Sequence, residues 1–119
     1  MIIHGRNVCF LKTVGAACDI QRLFDRTGGA DCFFNGSYAD IQCRAAEFME
    51  YLSMGFEQNA FWEARARGED YQIHPLVKEE ALTLDNDTFN KLFAEAQTEW
   101  VKDGTTVKGN TTGKKTDSQ

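Results

Sequence analysis

The chain is poor in the residues that make most enzymes legible. It has two histidines in 119 residues, His4 and His74. Neither is flanked by a serine or cysteine in a recognisable nucleophile signature. His4 falls beside a predicted turn and His74 directly precedes Pro75, so both read as surface residues. Four cysteines, Cys9, Cys18, Cys32 and Cys43, lie in the first 43 residues without a CxxC pair. A zinc knuckle needs closely spaced ligands, and a disulfide framework suits an oxidising compartment. Reduced, buried thiols are therefore expected, with a Cys-based metal site as the lesser alternative.

Other absences narrow the field further. No run of about 18 apolar residues is present to span a bilayer, and "MIIHGRNVCF" lacks the apolar region of a signal peptide. The expected location is the cytoplasm, with no membrane partner. "TGG" at 27–29 follows a predicted helix instead of preceding one, and "GKK" lies near the C-terminus, so neither reads as a phosphate loop. "DNDTFN" at 85–90 places Phe89 and Asn90 where a calcium loop needs an oxygen ligand and a glycine. These readings predict no cofactor, no metal and no catalysis. Pro75 is the single proline, which leaves room for long unbroken helices.

What the chain does have is apolar mass and acid. Apolar residues make up 42%, nine of them Phe, enough for the core of one domain. The net charge is −5, unevenly spread: residues 40–103 hold 14 acids against six bases, whereas 104–119 carry three lysines and one aspartate. An acidic body repels phosphate backbones, which argues against nucleic acid as partner.

Patterning predicts a mainly α domain over 1–103 with a small N-terminal β-hairpin over about 1–12. Three to four helices pack on the hairpin, and a disordered polar tail covers 104–119. The hairpin is expected to turn through "GRN", where Gly5 and Asn7 tolerate positive φ. Thr13 caps a helix over about 14–26 whose stripe is Ala16, Ile20, Leu23 and Phe24. Phe33 and Phe34 are expected to anchor the following loop to the core.

A long helix over about 37–67 carries Ile41, Ala45, Phe48, Met49, Leu52 and Phe56 on one face. Gly55 interrupts it at a propensity cost of ~1 kcal/mol, as a close helix crossing would require. Pro75 suits the first turn of a short helix. Asp85, Asn86 or Asp87 then caps a last helix bearing Phe89, Leu92, Phe93, Ala96 and Trp100.

The aromatics supply the positive functional signal. A domain this small cannot bury every large ring deeply, and rings left at a rim anchor partner proteins. Phe61 and Trp62 are adjacent and cannot both face one core line. The candidate partner-binding residues are Phe61, Trp62, Phe89, Phe93 and Trp100.

The layout resembles the tail assembly chaperones of long-tailed bacteriophages and prophages. The "MIIHGRNVCFLKT" opening is similar to their small hairpin with a central glycine. An acidic helical body follows, then "LTLDNDTFNKLFAEAQTEWVKDG" resembling their late helix, and a Lys-bearing polar end, "KGNTTGKKTDSQ". The resemblance implies a non-enzymatic scaffold in the bacterial host that coats a tape-measure protein, recruits tail-tube subunits and often self-associates. The cysteines and the Phe33–Phe34 pair stand outside that pattern. Another phage structural or head–tail connector protein, or a small regulatory interaction module, is the alternative reading.

Overall fold

The first reversal of the chain is tighter than expected. In the computed structural model, which describes residues 1–102, β1 (Ile2–Ile3) pairs antiparallel with β2 (Arg6–Asn7), with Ile2 opposite Asn7 and Ile3 opposite Arg6. The turn is His4–Gly5, with φ of 49° and 82°. Two successive positive φ angles define a primed hairpin turn, whose twist matches that of the strands. The turn therefore lies one residue earlier than the "GRN" reading, and Asn7 is a strand residue.

The first helix, α1, spans Val14–Arg26, with the Thr13 hydroxyl accepting from the Ala16 amide as its cap. All four residues of its predicted stripe are buried. It ends in a reversal in which the Gly29 amide reaches back to the Phe24 carbonyl at 2.7 Å. A 3₁₀ turn over Ala30–Cys32 follows. Then comes α2, Tyr38–Ala66, unbroken for 29 residues and capped by Ser37. At 1.5 Å per residue this is about 43 Å of helix, nearly the 47 Å longest dimension. The other three helices pack on this rod.

The packing of α1 on α2 is antiparallel: Ala16 lies beside Gly55, whereas Arg26 pairs with Glu47. The predicted use of Gly55 is met. A methyl group there would lie 2.5 Å from the Leu11 carbonyl oxygen and 2.9 Å from the Thr13 hydroxyl.

After Ala66 a glycine at φ +75°, Gly68, turns the chain back, with the Glu69 amide bonded to the Ala64 carbonyl. Residues 70–77 then run back along α2 as an extended strap. Its alternate amides dock on side-chain oxygens of one α2 face. His74 N–H donates to Glu57 Oε1 (2.9 Å), Leu76 N–H to Ser53 Oγ (2.7 Å) and Lys78 N–H to Glu50 Oε1 (2.6 Å). The register works because two extended residues advance about 6.6 Å, close to the three- and four-residue steps of a helix face. Pro75 lies between two docked amides and supplies no N–H of its own. It is thus a strap residue, not the first turn of a helix as anticipated. The short helix α3 begins only at Lys78 and ends at Ala81.

The hairpin clasps the strap from the other side. Arg6 donates to the Pro75 carbonyl (3.0 Å) and forks onto both oxygens of Glu80 on α3 (2.6 and 2.8 Å), while His4 Nδ1 lies 2.6 Å from Glu80 Oε2. The Arg6 fork, then His4, holds the Glu80 carboxyl down at about 2, against an ordinary 4.5. A depressed carboxylate stabilises the fold fully above the unfolded value and ceases to do so as pH falls through the folded one. We expect on the order of 2–3 kcal/mol to be lost between pH 4.5 and 2. Urea denaturation should show the difference between wild type and Glu80→Gln shrinking toward zero over that window. A difference independent of pH would exclude the clasp as its source.

The last helix, α4, spans Asn86–Lys102. Asp85, one of the three anticipated caps, accepts from the Thr88 amide at 3.0 Å. Phe89, Leu92 and Ala96 are buried against the core, which also contains Ile20, Leu23, Met49, Leu52 and Leu76. Among the described residues the architecture is the expected one, mainly helical with an N-terminal hairpin and four α-helices. The anticipated polar tail at 104–119 lies outside the described residues.

Candidate protein-binding surface

Six aromatic rings from four elements meet at one end of the α1–α2–α4 packing. Phe24 comes from α1, Phe33 and Phe34 from the residues after the 3₁₀ turn, Phe48 from α2, and Phe93 and Trp100 from α4. Phe33 is the hub. It meets Phe24 edge-on at 5.9 Å and Phe48 at 5.8 Å, and stacks with Phe93 at 6.2 Å. Trp100 lies edge-on to Phe24 and Phe48, each at 5.8 Å. Offset and edge-on pairs of this kind add to simple area burial.

Two polar clamps hold the cluster. Arg44 of α2 donates to the carbonyls of Phe33 (2.9 Å) and Asn35 (2.5 Å), fixing the loop that carries Phe33 and Phe34. Lys12 donates to the Trp100 carbonyl at 3.1 Å and places its ammonium 4.2 Å from the centre of the indole. Its backbone amide bonds Glu99 at 3.0 Å. Together these tie the end of α4 to the segment before α1.

The rings do not close over. They surround a recess of about 140 Å³, completed by Ala30, Gln97 and Val101. Phe34 is 57% exposed and Val101 68% exposed on its rim. No ionisable group lines it. Such a surface offers apolar shape and one amide, Gln97, but no group able to move a proton.

The five anticipated partner-binding residues divide. Phe93 and Trp100 are both half-buried in the recess. Phe61 and Trp62 are elsewhere, about 20 Å further along α2 by helical rise. They form an edge-on pair at 5.4 Å, with Trp62 63% exposed and the Arg65 guanidinium 5.5 Å from its ring. Of that adjacent pair, Trp62 faces outward. Phe89 must be corrected: at 4% exposure it is a core residue, because position 89 shares the inward line of α4 with Leu92 and Ala96. Phe34 and Val101 were missed. Of the two expected loop anchors only Phe33 is buried, and Phe34 leans outward on Phe93.

The cysteines also depart from expectation. All four are free, Cys18 is exposed and Cys9, Cys32 and Cys43 are partly exposed, so none is a buried thiol. Among the described residues no cluster of three or more His, Cys, Asp or Glu side chains is arranged to hold a metal ion. No described helix is long and apolar enough to cross a membrane. No family model, curated protein or solved structure matches this chain.

Proposed function

We propose that this protein is a non-catalytic binding protein of the tail assembly chaperone kind. In this reading it works in the cytoplasm of a bacterial host. It covers apolar helical stretches of a tape-measure protein and hands them to tail-tube subunits, with self-association as part of the assembly. The observation that carries the reading is the open aromatic recess with Phe34 and Val101 exposed on its rim. An amphipathic helix can lay one apolar side chain into such a recess and cover the rim with its neighbours. The acidic body supports the same reading, since like charge keeps coated complexes apart. Trp62 provides a second anchor at the far end of α2.

The test is titration of a purified tape-measure fragment into the protein. Phe34→Asp combined with Val101→Asp should weaken binding at least tenfold, about 1.4 kcal/mol, with the melting temperature little changed because both side chains are exposed. Trp62→Ala should weaken it less. Failure of the wild type to bind, or equal binding by the doubly substituted protein, would refute the proposal.

A further inference from the structure

The strap is held very differently from the rest of the molecule. Of residues 70–81 only Leu76 and Ala81 are fully buried, while Gln72, Ile73, His74 and Val77 are exposed. Its attachments are mostly polar: three backbone amides on Glu57, Ser53 and Glu50, the Tyr71 hydroxyl on Glu57 at 3.0 Å, and the Arg6–Glu80 clasp. Gly68, whose positive φ suits glycine, stands at one end as a natural pivot. At the other end the chain passes through a single helical turn into Thr83 and Leu84. The helices α1, α2 and α4 build one continuous apolar and aromatic core, to which the strap contributes only Leu76 and Ala81.

We propose that residues 70–81 form a strap that opens as one unit, ahead of global unfolding, with the Arg6–Glu80 ion pair as its latch. Segments with few buried apolar contacts open at lower free energy than the core around them. Opening requires the clasp to release because Arg6 grips both the strap carbonyls and Glu80. The three amides then leave together, since each depends on the same extended register. The open form bares the Leu76 seat and the three side-chain acceptors, Glu50, Ser53 and Glu57, spaced along α2. This inference concerns a different face from the aromatic recess and stands without it.

Native-state hydrogen exchange of the whole chain tests it. The amides of His74, Leu76 and Lys78 should exchange through a common opening, at least tenfold more readily than those of Ile20 and Leu52. Their opening should depend weakly on urea and that of the core strongly. Ile20→Val should reduce core protection severalfold and leave the three strap amides unchanged, because α1 stays folded when the strap opens. Glu80→Gln, or Arg6→Lys should Glu80→Gln fold poorly, should speed strap exchange about tenfold. Strap amides that share the urea slope of the core, or respond equally to Ile20→Val, would overturn the unit. Strap exchange unchanged by both clasp substitutions would overturn the latch.

Discussion

Phe33→Ala should cost about 3–5 kcal/mol of stability, among the largest losses for any single substitution here. The residue sits in a stretch, "ADCFFNGS", with no helical or strand pattern, so sequence alone offers it only as one of two loop anchors, no different from Phe34. Its ring is 5% exposed and packs against Phe24, Phe34, Phe48 and Phe93. Removing it takes the hub from a cluster fed by α1, α2 and α4. The loop is held from behind by Arg44, so the surroundings can collapse only in part and a cavity remains. Against a total of about 5–15 kcal/mol for a domain of this kind, the variant would sit near the edge of folding. The neighbouring Phe34→Ala should cost less than about 1 kcal/mol, because that ring is 57% exposed. Chemical denaturation of the two variants side by side measures the contrast. Equal losses would mean that Phe33 is not the hub.

The second large effect has a sign that local reasoning gets wrong. Gly55 stands inside a 29-residue helix, where alanine should add about 1 kcal/mol by propensity. We expect Gly55→Ala to destabilise instead, by a net 1–3 kcal/mol. The new methyl would lie 2.5 Å from the Leu11 carbonyl oxygen, 2.9 Å from the Thr13 hydroxyl and 3.1 Å from the Ala16 side chain. The Leu11 backbone cannot easily retreat. Its amide donates to the Leu52 carbonyl and its carbonyl accepts from the Thr13 amide, each at 3.0 Å. Thr13 in turn caps α1. A strained crossing would therefore loosen the start of α1 along with its contact to α2. Thermal melting should fall by several degrees per kcal/mol lost; a rise in melting temperature would show that the crossing yields without strain.

Both expectations depend on how the helices are laid together, and this marks the limit of sequence reading for this chain. The helices themselves were visible. Periodicity put α1, α2 and α4 within a residue or two of their observed ends, and Thr13, Ser37 and Asp85 cap by the local chemistry of hydroxyl and carboxylate oxygens at helix starts. The irregular segments were harder. Pro75 looked like a helix start because proline is tolerated there, yet it serves a strap whose partners, Glu50, Ser53 and Glu57, lie some 20 residues earlier. The same three residues look like ordinary polar positions when α2 is read alone. Glu57 is 8% exposed and Ser53 2%, burial that has meaning only once the strap's amides are beside them.

The candidate surface divides along the same line. Sequence identified a surplus of aromatics and placed Phe93 and Trp100 among the partner-binding candidates, and both border the recess. It could not rank Phe89 against Phe34, since a ring's exposure depends on what the other elements bring to it. Sequence by itself determined the three long helices, the Thr13 cap, the apolar faces and the excess of acid, because each arises from neighbours a few residues apart. Only the tertiary structure decided which rings meet, which one lies open and which polar side chains hold the strap. Those outcomes require segments distant in the chain to come within a few ångströms of one another, and no local pattern encodes that distance.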